Sequence, residues 1–470
     1  MFDFEKNKKS IALISDSGEV VSYSELIDES SRFAEVIKNR CLAFILCENT
    51  IGSIVGYTSL LRNRVVPVLL NAHLERELLN ELISLYCPTF IWMPDRMCDE
   101  FVDYTVVYGS FGYSLLNTNF KKQYRLYDEL CMLLTTSGST GSPKFVRQSY
   151  KNVLENAKSI VGYLELDSTE KPITTLPMNY TYGLSIINSH LLVGATILVT
   201  DKGLMQKEFW EFFRNQNATS FGGVPYTYEM LDRLRFSRMS LPSLKYSTQA
   251  GGKLTPELHK KFAENAKENG RKFIVMYGQC EATARMGYLP AEKAIEKCGS
   301  MGIAIPGGKF SLIDANGIEI KEPFVAGELV YEGANVTLGY AECGEDLVKG
   351  DERNGILYTG DVAQFDKDGF FYIVGRKKRF LKIYGNRVNL DEIDRMIKAK
   401  FSNLECASAG IDDHIYIFIC DGFYKDQVKD YVVQMTKLNQ AAFNIVIVDS
   451  IPKNDSGKIL YKELAKYYES

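Results

Sequence analysis

Histidine is scarce. There are four in 470 residues and none is paired with another at metal-ligand spacing, so no zinc site is expected. Cysteine is more plentiful, but its ten copies are scattered without a C-x-x-C pair, and several (Cys41, Cys47, Cys131, Cys420) sit in apolar runs. They read as reduced core thiols of a cytoplasmic protein. No apolar run approaches the length needed to cross a bilayer. The opening Met1-Phe2-Asp3-Phe4-Glu5-Lys6 mixes both signs of charge, unlike a signal peptide. The net charge of −4 lacks the basic excess that nucleic acid demands, so no nucleic-acid partner is expected. Internal repeats and low-complexity segments are also missing.

What remains is an ordinary globular composition, 46% hydrophobic and 24% charged, in a chain long enough for more than one domain. Short apolar strands alternate with amphipathic helices from the start. Ser22-Tyr23-Ser24-Glu25 reads as a capping box ahead of a helix through Leu26, Phe33 and Ile37. A strand over 41–47, a helix near 51–61, a strand over 65–70 and a helix through Leu78, Leu79 and Leu82 follow. That rhythm predicts parallel sheets flanked by helices, an α/β fold. From about Lys309 the turns Asn316-Gly317 and Asp368-Gly369, set between alternating apolar runs, predict a β-rich subdomain. Beyond Arg379, helix (390–397), strand (415–419), helix (427–438), strand (444–448) and a terminal helix predict a small α+β domain, joined through the basic run Arg376-Lys377-Lys378-Arg379.

The apolar run Leu130-Cys131-Met132-Leu133-Leu134 leads straight into Thr135-Thr136-Ser137-Gly138-Ser139-Thr140-Gly141-Ser142-Pro143-Lys144. Small residues let backbone N–H groups converge, hydroxyls donate, and a lysine adds charge, which suits a polyphosphate. The loop is neither a P-loop, because Ser142 and Pro143 stand between the second glycine and the lysine, nor a G-x-G-x-x-G turn. Two more glycine clusters end apolar runs, at Gly222-Gly223 and Gly251-Gly252, where backbone can approach a flat ligand.

The loop resembles the [ST]-S-G-[ST]-T-G-x-P-K-G phosphate loop of the acyl-adenylate-forming enzymes, the superfamily of acyl-CoA synthetases, peptide-synthetase adenylation domains and luciferases. Further segments resemble that superfamily in order along nearly the whole chain. Leu176 to Gly183 is similar to its P-x-x-H-x-x-G, with Tyr180 at the histidine position, and Tyr277-Gly278-Gln279-Cys280-Glu281 to Y-G-x-T-E. Tyr358-Thr359-Gly360-Asp361 resembles Y-x-T-G-D, Gly375-Arg376-Lys377-Lys378-Arg379 resembles G-R-x-K-D, and Pro452-Lys453-Asn454-Asp455-Ser456-Gly457-Lys458 resembles P-K-T-x-S-G-K. Phe145, Tyr150, Cys280, Arg379, Leu390 and Asn454 depart from the pattern, but the charged positions Lys144, Glu281, Asp361, Arg376 and Lys458 are all retained.

The resemblance implies ATP-dependent activation of a small carboxylic acid to an acyl-adenylate and its transfer to a thiol. Coenzyme A is the favoured acceptor; a phosphopantetheinyl acyl carrier protein is the alternative, and a catalytically silent nucleotide-binding protein the reading from another class. It assigns ATP contacts to Thr135, Thr136, Ser137, Gly138, Ser139, Thr140, Gly141, Gly251, Gly252, Tyr277, Gly278, Asp361 (ribose) and Arg376, catalytic roles to Lys144, Glu281 and Lys458, and Mg²⁺ to Glu281. Tyr180, Tyr182, Gly183, Gly223 and Tyr226, with Met286, would line the acyl pocket, whose aromatic side chains suit a small or aromatic acyl group. It implies an N-terminal domain over 1–376 and a mobile lid over 380–470, with an exposed hinge near 377–380 centred on Arg379.

Overall fold

The structure is a computed structural model that describes residues 3–135, 144–384, 386–401, 404–453 and 459–468, the side chains of 378, 386 and 387 excepted. The chain divides into two compact units, Met1–Phe310 with Tyr331–Leu357 and Ser311–Val330 with Tyr358–Ser470.

In the first unit an eight-stranded sheet runs in the order Gly339–Ala341, Phe145–Ser149, Leu130–Thr135, Val66–Asn71, Leu42–Cys47, Phe90–Pro94, Tyr113–Asn117, Thr105–Ser110. The predicted parallel pairing holds only at its centre, across Leu130–Thr135, Val66–Asn71, Leu42–Cys47 and Phe90–Pro94. Both margins are antiparallel. The central strands are apolar along their length because helices cover both faces, and Leu42–Cys47 is buried at every position. A second sheet repeats the design: Ser220–Gly223, Tyr246–Gln249 and Lys272–Gln279 are parallel, and Ala284–Tyr288 and Ile303–Ala304 close it in antiparallel.

Two helices begin on capping boxes, the first where the sequence places it. Ser22 and Glu25 exchange hydrogen bonds ahead of Tyr23–Val36. Ser149 and Asn152 do so ahead of Tyr150–Leu164, so a strand passes into a helix without a loop. Asn152 Nδ2 also donates to Ala334 O at 2.8 Å and Val336 O at 2.7 Å, which ties that helix start to the segment carrying the sheet's last strand.

The second unit holds most of a four-stranded sheet, Gly308–Ile313, Gly327–Gly333, Ile356–Phe365 and Phe371–Arg376, with the predicted Asp368-Gly369 turn joining the last two strands. Beyond it, helices Leu390–Lys400 and Lys425–Thr436 pack on the strands Cys406–Ile411, His414–Ile419 and Phe443–Ile447 around Ile393, Ile397, Ile415, Ile417, Val428 and Val432.

His190, on helix Thr181–Val193, is 1% exposed. Its Nδ1 lies 2.8 Å from Ile186 O and its Nε2 3.1 Å from Tyr246 Oη, a pairing that a neutral ring satisfies on both sides. Burial holds it down at about 4, with Arg285 adding a smaller push in the same direction. Below the ordinary value of 6.5 the unfolded chain takes up a proton that the folded chain refuses, so stability is full above that pH and falls as the solution is acidified towards 4. Between pH 7 and pH 5 this residue should remove about 2 kcal/mol of unfolding free energy. Urea denaturation at the two pH values checks this: the difference should shrink by that amount in His190→Gln.

Candidate active site

The strand Leu130–Thr135 runs up to the predicted phosphate loop and Phe145–Ser149 returns beside it, with Thr135 opposite Phe145. Residues 136–143 of the loop, which include Thr136, Ser137, Gly138, Ser139, Thr140 and Gly141, lie outside the described residues, as does Lys458. The flanks of the loop are described. Cys280 Sγ, where the resembling motif has threonine, donates to Thr135 O at 3.7 Å, so the thiol braces the strand end.

Glu281 sits on the turn after Lys272–Gln279, and its Oε1 accepts a 2.7 Å hydrogen bond from Tyr340 Oη. Tyr340 belongs to the three-residue strand Gly339–Ala341, which pairs with Phe145–Ser149 on the edge away from the loop strand. Lys144 Nζ lies 3.7 Å from the centre of the Tyr340 ring and Arg353 Cζ 4.7 Å from it. Lys144 also lies 3.4 Å from Glu342 Oε1. Arg353 Nη1 donates to Glu281 O at 3.1 Å and to Thr337 Oγ1 at 2.8 Å. Burial, and then the charge of Glu281, push the Tyr340 phenol up to about 12, so it stays a donor at neutral pH. The structure thus brings together three predicted residues, Thr135, Lys144 and Glu281. It adds Tyr340 and Arg353, for which the sequence offers no signal because a three-residue strand has no readable period.

The glycine clusters abut the predicted aromatic wall. Gly251 has φ +82°, and a Cβ there would fall 2.7 Å from Tyr180 Oη. Tyr180 and Tyr182 meet edge to face with centroids 6.3 Å apart, and Tyr182 Oη lies 2.7 Å from Thr248 Oγ1. Gly183 starts the same helix, Gly223 ends its strand and Met286 is buried. Gly252 follows Gly251 ahead of Pro256–Glu268, and Tyr226 is half exposed on the first turn of Pro225–Arg233. Tyr277 and Gly278 end the strand before Glu281; a Cβ on Gly278 would lie 1.6 Å from Ala284 O, so no other residue fits. Arg285, opposite Gly278, belongs to none of the motifs in the sequence, although a charge inside Ala284-Arg285-Met286-Gly287 is a visible anomaly.

In the second unit Asp361 and Arg376 are cross-strand partners, Arg376 Nε lying 3.2 Å from Asp361 Oδ1. The carboxylate is buried and the guanidinium exposed. The expectation of an exposed Arg379 fails. Arg379 is 9% exposed; its Nε and Nη2 donate to Asp391 and Asp394 at 2.6 and 2.7 Å and its Nη1 to Ser408 O at 2.7 Å, and its Cζ lies 4.0 Å from the centre of the Tyr461 ring. Asp391 and Asp394 project from one face of helix Leu390–Lys400, a spacing that gathers both carboxylates on one cation.

Among the described residues no group of three or more His, Cys, Asp or Glu could hold a metal ion. Glu281, held in place by the Tyr340 hydroxyl, offers the single carboxylate that would suit a Mg²⁺ taking phosphate and water as its other ligands.

A family model described as AMP-binding enzyme matches residues 3–341. The chain belongs to the AMP-binding enzyme family. It is 27% identical over 356 residues to a probable CoA ligase, CCL9, of Humulus lupulus, a match covering 72% of this chain and 66% of that one. It is 28% identical over 355 residues to the oxalate–CoA ligase of Arabidopsis thaliana, covering 73% and 68%, and 30% identical over 355 residues to 4-hydroxybutyrate–CoA ligase 1 of Metallosphaera sedula, covering 71% and 61%. The match therefore spans about two thirds of these relatives' length. Among solved structures, ATP-bound MatB from Rhodopseudomonas palustris superposes with a TM-score of 0.80 at 21% identity, over 98% of this chain and 96% of that one. O-succinylbenzoate coenzyme A synthetase (MenE) from Bacillus subtilis, in complex with ATP and magnesium ion, gives 0.77 at 21% identity, over 97% and 96%. These likenesses show that the family's mixed α/β fold extends along nearly the whole chain.

Replacing Arg379 by Met strands the buried Asp394, whose carboxyl burial already pushes up to about 6 against the pull of Arg379. The Arg379→Met variant should lose about 3 kcal/mol of the second unit's unfolding free energy, read as an earlier urea transition, while the first unit's transition stays in place.

Proposed function

We propose that this AMP-binding enzyme activates a carboxylic acid with ATP and passes the acyl group to coenzyme A. The observation that carries the reading is the cluster at the flank of the phosphate loop, where Lys144 lies on the ring of Tyr340 and the Tyr340 hydroxyl holds Glu281. A cation and an oriented carboxylate beside a glycine and hydroxyl turn suit a metal-bound polyphosphate. Mg²⁺ held by Glu281 and the phosphates would neutralise charge and orient the β- and γ-phosphates.

In the first step a carboxylate oxygen attacks the α-phosphorus. One P–O bond forms, the P–O bond to the β-phosphate breaks, and pyrophosphate leaves with the electron pair. The protein's part is to position the reactants and offset developing charge. Lys144 and the loop residues would hold the phosphates, Asp361 and Arg376 the ribose end of the nucleotide, and Lys458 the attacking carboxylate and the α-phosphate. In the second step the thiol sulfur attacks the acyl carbon, its proton is lost, and AMP departs. Residues 380–470 would act as a lid over 1–376, turning near 377–380 between the steps. With Arg379 buried among Asp391, Asp394 and Tyr461, the turn would be made by the chain before it, with Arg379 moving as part of the lid. Coenzyme A is favoured because the similar relatives carry CoA ligase names. Their named acids differ too widely to fix the acid here.

Exchange of labelled pyrophosphate into ATP across a panel of acids tests the first step, and mass spectrometry of the product with and without coenzyme A tests the second. Lys458→Ala should lower exchange by about 100-fold or more while leaving ATP binding and transfer from preformed acyl-adenylate in place. No exchange with any acid would favour a silent nucleotide-binding protein. Tyr340→Phe should raise the Mg²⁺ concentration giving half-maximal exchange several-fold, because Glu281 loses its donor; an unchanged Mg²⁺ requirement would remove Glu281 from the metal site.

A further inference from the structure

Arg285 is 3% exposed in the strand Ala284–Tyr288. Its Nε donates to Ser185 Oγ at 3.1 Å, its Nη1 lies 3.0 Å from both Tyr163 Oη and Met276 Sδ, and its Cζ is 5.1 Å from the centre of the Tyr182 ring. Among the described residues no carboxylate pairs with it. The titratable groups around it carry no compensating charge. Burial holds His190 neutral, and burial pushes the Tyr163 and Tyr182 phenols up, so neither ionises at neutral pH. A guanidinium taken out of water without a counter-charge is costly, and a sequence keeps such a group where something else brings the anion.

The surroundings point the same way. Ser185, the partner of Nε, also lines a small cavity with Thr181, Asn188, Asn156, Gln148 and Thr283. Two polar atoms of that lining, Gln148 Nε2 and Asn156 Oδ1, are buried with no hydrogen-bond partner among the described residues. Tyr182 and Tyr180, chosen from sequence as acyl-pocket walls, flank the same helix start, and Tyr182 stacks on the guanidinium. The guanidinium among neutral phenols, and the unpaired Gln148 amide of the cavity that Ser185 joins to it, are groups that an anion would answer.

We propose that Arg285 determines acid specificity by taking a second carboxylate, so that the acid activated is a dicarboxylic acid. The inference rests on the acid-activating reading above. The carboxylate that reacts gives up its charge when it becomes an acyl-adenylate, and would leave the guanidinium unpaired in the very complex the enzyme must hold. A second carboxylate pairs with Arg285 before, during and after the reaction. None of the contacts of the Arg285 guanidinium is to Lys144, Tyr340 or Glu281, the side of the site assigned to phosphate.

The test uses matched acids on the full chain: succinate against butyrate, glutarate against pentanoate, adipate against hexanoate, and phthalate against benzoate. Pyrophosphate exchange gives kcat/KM for each, and calorimetry with a non-hydrolysable ATP analogue present gives binding without turnover. In at least one pair the diacid should exceed its monoacid by about 100-fold or more in the wild type, and Arg285→Gln should bring that ratio close to one, chiefly through KM. Arg285→Lys, which keeps the charge but not the fork, should fall between. Monoacids equal to or better than every matched diacid, or a diacid preference that survives in Arg285→Gln, overturns the assignment. The wild-type comparison decides even where a variant does not fold. Diacid binding that depends on Arg285, in a protein showing no exchange, would uphold the anchor and reject the activity; exchange with monoacids and no diacid binding would do the reverse.

Discussion

The guanidinium of Arg147 is the constraint on which the candidate site hangs. It is fully buried, and its five N–H groups are all taken: Nε by Tyr340 O, Nη1 by Lys349 O and Gly350 O, Nη2 by Leu338 O and the Glu352 carboxylate. A strand of three residues cannot hold itself to a sheet edge by its ladder alone. The arginine gathers the carbonyls on both sides of that strand and fixes Tyr340 in place. Burial lowers the Arg147 pKa, and the Glu352 charge opposes that shift, so the group stays charged at neutral pH. Removing it would leave inward-facing carbonyls unpaired, which costs more than the bonds themselves contribute.

From that fixed point the electrostatics follow. One tyrosine meets two cations on its ring and a carboxylate at its hydroxyl, so Lys144, Arg353 and Glu281 are oriented through a side chain that is itself neutral. A direct ion pair would let lysine and carboxylate neutralise each other. The ring instead holds Lys144 and Glu281 apart, with the hydroxyl aiming the carboxylate and the ring face attracting the ammonium, whose own ion pair is to the exposed Glu342. Arg353 adds a second anchor through the Glu281 backbone oxygen, so the turn and the side chain are held separately.

Local features were the most legible in the sequence. The Ser22 cap, the Asp368-Gly369 turn and the glycine clusters depend on neighbours a few residues away, and they stand where the chain's pattern puts them. The antiparallel margins were not legible, because pairing Tyr340 with Val146 joins segments far apart in sequence and leaves no periodic trace. The strand Cys406–Ile411 was missed for another reason: Cys-Ala-Ser-Ala-Gly-Ile is small-residue chemistry that packs well under a helix but carries little hydrophobic signal. Arg379 misled because four successive basic residues look solvated. Its burial depends on Asp391 and Asp394, which only a helix brings to one side. Motif order singled out Lys144 and Glu281, which the structure sets on one tyrosine, whereas that tyrosine, Tyr340, carries no motif at all.

The buried arginines separate structural from functional charge. Arg147 is compensated by backbone and one carboxylate, and Arg379 by two carboxylates and a ring. In both cases the chain contains the answer to its own buried charge, and the result is a fixed joint. Among the described residues Arg285 has only hydroxyls, a thioether and a ring. A ligand without a second charge would leave that guanidinium desolvated and unpaired, and one with it would relieve a penalty the folded protein already bears. Discrimination built this way comes from the unfavourable state of the empty or wrongly filled pocket as much as from the new ion pair, which is why an unanswered buried cation selects more sharply than one more apolar wall could.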